Sequence, residues 1–257
     1  MGAIQRARLV FNEWPAAIYA IGDIHGCLDQ LRTLEGHIAA DAAQFPGEKW
    51  IVTLGDYVDR GPASAGVIDH LMTPLSSELR RIPLLGNHEQ MLLDFLENPA
   101  ANTNWLEWGG LETLNSYGAK MPPGENWRRS PRRAAERLAA QLPERHLAFL
   151  QGLPICLSAP GFFFVHAGIR PGVSLERQDD YDLIWIRAGF LNAAPREGLT
   201  VVHGHTPVEE PEIVPGRVDI DTGCFGSGVL TALRVTPDRS MKLLQAIGRP
   251  SSYAPPN

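Results

Sequence analysis

The sequence predicts an α/β chain built on a mostly parallel sheet with crossover helices. Two observations carry this. Strand and helix patterns alternate up to residue 98, and each strand pattern there ends on a polar residue beside a glycine. "AAIYAIGD" reads as a short buried strand ending at Asp23. "LDQLRTLEGHIAADAA" follows with Leu28, Leu31, Leu34 and Ile38 at helical spacing. "WIVTLGD" is the next buried strand, ending at Asp56, and "SAGVIDHLMTPLSS" the next helix, with Ser64 as its expected N-cap. "RIPLLGN" and "HEQMLLDFLEN" give a third strand and a third helix.

The middle of the chain changes character. "NTNWLEWGGLETLNSYG" and "SPRRAAERLAAQLPERHLAFLQGL" read as helical, joined by the Pro/Gly loop "MPPGEN", so 98–152 is expected to be a helical insertion beside the sheet. Within it, Trp105, Trp108 and Tyr117 space like an apolar helix face, which points to core packing. Strand character returns in "ICLSAPGFFFVHAG", a hairpin turning at Pro160-Gly161, and in "LTVVHGHT", "RVDIDTG" and "VLTALRVT". A single domain over 1–247 and a disordered Pro-rich tail over 248–257 are expected.

Composition excludes several classes. The chain has 257 residues, long enough to bury a sizeable core. Its net charge of −6 lacks the basic excess of a nucleic-acid groove, and "NWRRSPRR" reads as a solvated surface cluster. No window has the length of a membrane span, and the N-terminal residues lack the apolar core of a signal peptide. Three cysteines, Cys27, Cys156 and Cys224, match no zinc or disulfide spacing, so a reducing cytoplasm is expected.

In open α/β sheets, ligands bind outside the carboxyl ends of the strands. Asp23, Asp56, Asn87, His166 and His205 all fall at such ends, and His25 lies two residues past Asp23. Carboxylate, imidazole and amide oxygen together suit a divalent ion such as Mn, Fe, Zn or Co, and flanking glycines let the backbone turn sharply towards it. One shared carboxylate can hold two ions about 3.5–4 Å apart, the separation used for displacement at phosphorus. A lone Asp after a strand is commonly a helix cap, and a lone His a core residue. The ordered set decides for a metal site.

That set, "GDIHG", "GDYVDRG", "GNHE", "HAG" and "HGHT", resembles the phosphoprotein phosphatase superfamily of binuclear metallophosphoesterases from Ile18 to about Val235. "GNHEQMLLDFL", "NWLEWGG", "LIWIR", "GHTPV" and "DIDTG" are similar to its bacterial and phage branch, typified by bacteriophage lambda phosphatase. The resemblance implies a central β-sandwich flanked by helices, with the metals at one edge. It implies one metal on Asp23, His25 and Asp56, and a second on Asn87, His166 and His205, with Asp56 bridging. It makes His88 the general acid, oriented by Asp59, whose carboxylate is expected to raise the imidazole's pKa. Arg60 and Arg187 would bind phosphate, although Arg187 could instead pair with Asp182 or Glu197.

The implied activity is that of a phosphomonoesterase with two divalent ions, Mn first, or Fe, Zn, Co or Ni. Hydroxide held between the metals would attack phosphorus directly, with no covalent phospho-enzyme. A serine/threonine protein phosphatase, also acting on phosphotyrosine, is the leading expectation, through "GNHEQM" and "LIWIR" and through Glu89 where many of the alternative hydrolases have Asp. That alternative is a symmetrical dinucleoside tetraphosphate hydrolase, and no feature of the sequence announces a pocket for its second nucleoside. An inactive phospho-ligand binding module is the alternative of another class. The expected partner is a phosphoprotein, a phosphopeptide or a dinucleoside polyphosphate, with no nucleic acid and no membrane.

Overall fold

A computed structural model describes residues 6–75, 78–120, 122, 126–251 and 253. A short strand, Arg8–Val10 (β1), precedes the alternating units Ala17–Ile21 (β2), Leu28–Ala42 (α1), Lys49–Thr53 (β3), Ser64–Met72 (α2), Leu79–Pro83 (β4) and Asn87–Glu97 (α3). The segment 98–152 carries a kinked π-type turn at Leu106–Gly110, then Leu111–Ser116 (α4), Pro131–Gln141 (α5) and Glu144–Gly152 (α6). Next come Cys156–Ala159 (β5), Phe162–Val165 (β6), Asp180–Trp185 (α7), Ala188–Leu191 (α8), Thr200–His203 (β7), Glu212–Val214 (β8) and Arg217–Asp219 (β9). Cys224–Ser227 (α9), Val229–Val235 (β10) and Met241–Ile247 (β11) complete the order.

These strands form two mixed sheets, where the alternation alone predicted one mostly parallel sheet. One has the order β11-β10-β2-β3-β4 and the other β1-β5-β6-β7-β9-β8. The parallel part is β2, β3 and β4, and β10 and β11 extend it antiparallel. The second half of the chain builds its own sheet around parallel β6, β7 and β9.

Side chains alternate across a strand, and here both faces are apolar. Ile18, Ala20, Val52, Leu54 and Leu233 meet Phe162, Phe164 and Val202 in a core between the sheets. Their neighbours face away from this core: Tyr19, Ile21 and Ile51 on one sheet, and Phe163, Val165 and Val201 on the other, join a second buried cluster that includes Leu31, Leu34 and Ile38 of α1, Val67 and Ile68 of α2, and Leu183 and Phe190 of α7 and α8. A sheet covered on both faces reads as a continuous apolar run, as these strands do.

β5 and β6 pair antiparallel with Ala159 opposite Phe162, so the hairpin turns at Pro160-Gly161. Gly161 has φ +81°, and a Cβ there would stand 2.3 Å from Arg239 Nη2. Ser64 differs from expectation. It is the first residue of α2, Ala63 takes the cap position, and the Ser64 hydroxyl instead accepts the Asp59 N–H at 3.1 Å.

Of the expected tail 248–257, residues 248–251 and 253 are described, and 252 and 254–257 lie outside the described residues. Gly248 N–H donates to the Gly228 carbonyl, Ser251 N–H to that of Phe225, and the Tyr253 ring lies 5.8 Å from the Phe225 ring. These residues therefore pack on α9, next to the loop that carries Arg60.

The parallel strands set up the site. β2, β3 and β4 run together, as do β6 and β7, so the loops that leave them gather on one rim of the sandwich.

Candidate metal centre

Backbone strain marks that rim. Among the described residues, six non-glycine residues have positive φ. Five of them are His25 (44°), Asp56 (52°), Asp59 (73°), Arg60 (65°) and His205 (68°). Left-handed backbone costs an L-residue roughly 1–2 kcal/mol, so the surroundings must enforce it.

The carboxylate of Glu89, fully buried in the first turn of α3, does much of this. Oε2 accepts the N–H groups of Asp56 (2.8 Å) and Gly86 (3.0 Å), and Oε1 accepts those of Tyr57 (2.7 Å) and Val58 (3.1 Å). Burial pushes Glu89 up to about 8. Its oxygens nonetheless face four donors, so the ionised form is the one the loop holds. Gly86 has to be glycine, because a Cβ would stand 2.3 Å from Asp56 N. On the other side of the loop, His25 N–H donates to the Asp56 carbonyl at 2.7 Å and Arg60 N–H to the Gly109 carbonyl at 3.2 Å.

Two buried groups of potential ligands share Asp56. One is His25, Asp56 and His88, and the other Asp56, His166 and His205. Asp56 Oδ2 lies 3.3 Å from His25 Nε2 and 3.9 Å from His88 Nε2, while Oδ1 lies 3.4 Å from His166 Nε2. The Asn87 carbonyl oxygen stands 2.8 Å from both His166 Nε2 and His205 Nδ1, and those two nitrogens are 3.2 Å apart.

Proton positions follow from the outer partners. His166 Nδ1 donates to the Leu54 carbonyl at 3.0 Å and His25 Nδ1 to that of Val58 at 2.7 Å. Their Nε2 atoms therefore present lone pairs to the centre. Burial pushes His25 down to about 4 and His205 to about 2, so both are neutral at pH 7, the form that ligates. Burial, with Asp221 and Asp56 nearby, pushes Asp23 well up. Converging lone pairs and crowded carboxylates, with no thiolate, fit hard or borderline divalent ions.

Asp23 is placed differently from the rest. Its carboxylate accepts the His205 N–H (3.3 and 3.2 Å) and stands 3.9 Å from His166 Nδ1, outside both three-residue groups. His203 turns away from the centre, with Nδ1 on the Gly204 carbonyl.

His88 Nδ1 donates to Asp59 Oδ2 at 2.7 Å. Asp59 also accepts Trp105 Nε1 (2.8 Å) and Thr113 Oγ1 (2.6 Å). The expected rise in the pKa of His88 is not found. Burial outweighs the neighbouring carboxylates and pushes His88 down to about 3, while burial pushes Asp59 up to about 7. Neutral His88 accepts Arg60 Nη2 on its Nε2 at 3.0 Å, and Arg60 Nη1 donates to His25 Nε2 at 3.0 Å. The Arg60 guanidinium also lies 4.8 Å from the centre of the Phe225 ring.

Arg187 donates from Nε to His205 Nε2 at 3.1 Å. Asp182, offered by the sequence as its alternative partner, pairs with Arg170 instead, at 2.6 and 2.7 Å. Two guanidiniums therefore flank the centre, one on each ligand group.

Several contributors escaped the sequence reading. Thr113 and Trp105 lie about fifty residues from the Asp59 they hold, with no pattern to announce them. Trp105 is buried as expected, but it also donates to Asp59, and Trp108 is 41 % exposed rather than in the core. Asp221 of "DIDTG" is buried beside Asp23. The signal available for it was one more Asp after a strand, with Gly223 two residues on.

The sequence profile of the calcineurin-like phosphoesterases matches residues 16–232. The chain belongs to the calcineurin-like phosphoesterase family. It is a metal-dependent phosphoester hydrolase, and members of its family normally hold two divalent ions. A Geobacillus thermodenitrificans protein named bis(5′-nucleosyl)-tetraphosphatase PrpE (asymmetrical) is 28 % identical over 236 residues, 83 % of this chain and 88 % of the relative. A solved structure provisionally described as a diadenosine tetraphosphatase superposes with a TM-score of 0.66 at 21 % identity, over 95 % of this phosphoesterase and all of that chain. A cold-active protein tyrosine phosphatase gives 0.57 at 17 % identity, over 94 % and 81 %. Both superpositions speak to the fold alone. Among the described residues no helix is long and apolar enough to cross a membrane.

Replacing Glu89 with Gln keeps the shape but puts an amide nitrogen against two N–H donors. Glu89→Gln is expected to lower the stability of the metal-free protein by about 3 kcal/mol, read by urea denaturation. A change under about 0.5 kcal/mol, the range of an ordinary surface substitution, would mean the loop holds its strain without Glu89.

Proposed function

We propose that this phosphoesterase hydrolyses dinucleoside polyphosphates. The observation that carries the substrate class is the likeness to tetraphosphatases over 83 % of the chain. The comparisons favour the reading that the sequence placed second. Glu89 had weighed towards a protein phosphatase. Its oxygens are spent on four backbone amides, so they support the loop and do not select a substrate. The name of the relative points to unequal products, ATP and AMP from diadenosine tetraphosphate, in place of the symmetrical cleavage of the alternative that the sequence offered.

Asp23, His25 and Asp56 would hold one ion, and Asp56, Asn87, His166 and His205 the other, with manganese the first to load. Bound divalent ions supply an activated water and charge stabilisation at phosphorus. The chain's own groups do the rest. Arg60 and Arg187 sit where their guanidiniums can leave His25, His88 and His205 for phosphoryl oxygens, matching their planar fork. When Arg60 turns to the substrate, Nε2 of His88 is released. It would take up a proton from solvent and deliver it to the leaving oxygen, while Nδ1 stays on Asp59. Trp105 and Thr113 hold Asp59, so the imidazole keeps its aim.

The manganese-loaded protein is expected to cleave diadenosine tetraphosphate with kcat/KM at least tenfold above that for phosphothreonine and phosphotyrosine peptides. Chromatography of the nucleotide products reads the cleavage position. A peptide preference would return the assignment to a protein phosphatase of the bacterial and phage branch.

His88→Asn removes the proton donor. Its kcat is expected to fall by about 10²–10⁴ on a phosphoserine peptide, the usual range for general acid catalysis. A nucleotide leaving group needs less protonation, so the loss should be smaller on the dinucleotide. Equal losses on the two substrates in steady-state assays would count against the acid role.

A further inference from the structure

Trp185 borders the centre, and two further rings meet it, none of the three buried. Trp185, at the end of α7, holds its ring 6.0 Å from the imidazole of His205, edge-on at 85°. Tyr181 stacks on Trp185 at 6.0 Å and 23°, and Trp108 meets Trp185 at 6.0 Å and 62°. Tyr181 is 67 % exposed and Trp108 41 %. Large aromatic side chains normally bury most of their surface, so a connected exposed set asks for an occupant.

The backbone fixes these rings relative to the phosphate-facing arginines. Trp108 sits at the kink before Gly109, whose φ is +110°. The Gly109 carbonyl accepts Arg60 N–H, and a Cβ on Gly109 would stand 2.6 Å from Arg60 N. Trp108 is thereby tied to the Arg60 loop. Trp185 lies two residues before Arg187 and against His205. The rings therefore link the two arginine loops around the rim, and the least covered ring, Tyr181, points the set outward from the centre.

We propose that Trp185, Tyr181 and Trp108 form a stacking platform for one nucleobase of the dinucleoside polyphosphate whose phosphates lie against Arg60 and Arg187. This rests on the dinucleoside polyphosphate reading above. Flat rings beside guanidiniums match a flat base carried on a phosphate chain. Stacking is tolerant of base identity because every base has a π-face. Diadenosine and diguanosine tetraphosphates should therefore be cleaved with similar KM.

The test uses the exposed rings and leaves Trp185, which touches His205, in place. Tyr181→Ala and Trp108→Ala are assayed in the manganese-loaded protein on diadenosine tetraphosphate and on a phosphotyrosine peptide, and AMP binding is followed by quenching of tryptophan fluorescence. Each alanine variant is expected to raise KM for the dinucleotide and Kd for AMP by about tenfold, with the change in KM rather than kcat. Tyr181→Phe and Trp108→Phe should restore both, since they keep a ring. Unchanged KM and Kd in the alanine variants overturn the platform while leaving the substrate class standing. A rise confined to the peptide assigns the rings to a phenol and overturns it too. If the wild-type protein does not cleave the dinucleotide at all, the substrate reading fails and the platform falls with it.

Discussion

Four backbone N–H groups on one buried carboxylate hold the centre of this protein in place. Glu89 gathers the amides of Asp56, Tyr57, Val58 and Gly86, and so holds the start of the fold-back after β3, in which Asp56, Asp59 and Arg60 take left-handed backbone. That fold-back aims the Asp56 carboxylate between two sets of imidazoles and puts Asp59 under His88. It also turns Arg60 over His25 and His88. Without the carboxylate the first half of this fold-back would lose its anchor, leaving Asp59 to Ser64 and Thr113 and Arg60 to the Gly109 carbonyl.

The sandwich makes such an anchor workable. Each sheet packs one face on its partner sheet and the other on helices, so the strands entering the rim have little freedom. Rigid packing of this kind lets short loops carry strain, because the cost is spread over a well-packed interior. The insertion contributes from outside the sheets. Trp105 and Thr113 fasten Asp59, and the kink at Gly109 meets Arg60, so a helical segment with no ligand of its own shapes the site.

The strand ends were legible because each polar residue follows an apolar run and stands beside a glycine. This is visible at Asp23, Asp56 and Asn87 and in the Gly204 before His205, while His166 follows its apolar run with Gly168 two residues on. The two-sheet architecture came from the family resemblance. Runs apolar on both faces indicate burial but do not say which layer covers which face. Trp108 was misread because its spacing of three from Trp105 assumes α-helical winding, whereas Leu106–Gly110 is a π-type turn whose torsions leave the helical range at Trp108. The charge state of His88 was misread because a neighbouring carboxylate is visible in sequence, whereas full burial is a property of the fold. Ser64 looked like a cap, yet its hydroxyl serves Asp59, five residues back, for the same reason that Glu89 looked like a substrate discriminator: local pattern shows a polar group but not what it faces.

The account stands on Asp56 as the shared ligand of two ions. The most direct test is metal stoichiometry, measured by calorimetric titration of chelator-stripped protein with manganese and checked by elemental analysis after dialysis. Two ions per chain in the wild-type protein, with loss of tight binding at both sites in Asp56→Asn, is the predicted result. A single ion in the wild type, or two retained in Asp56→Asn, would contradict the shared-carboxylate centre.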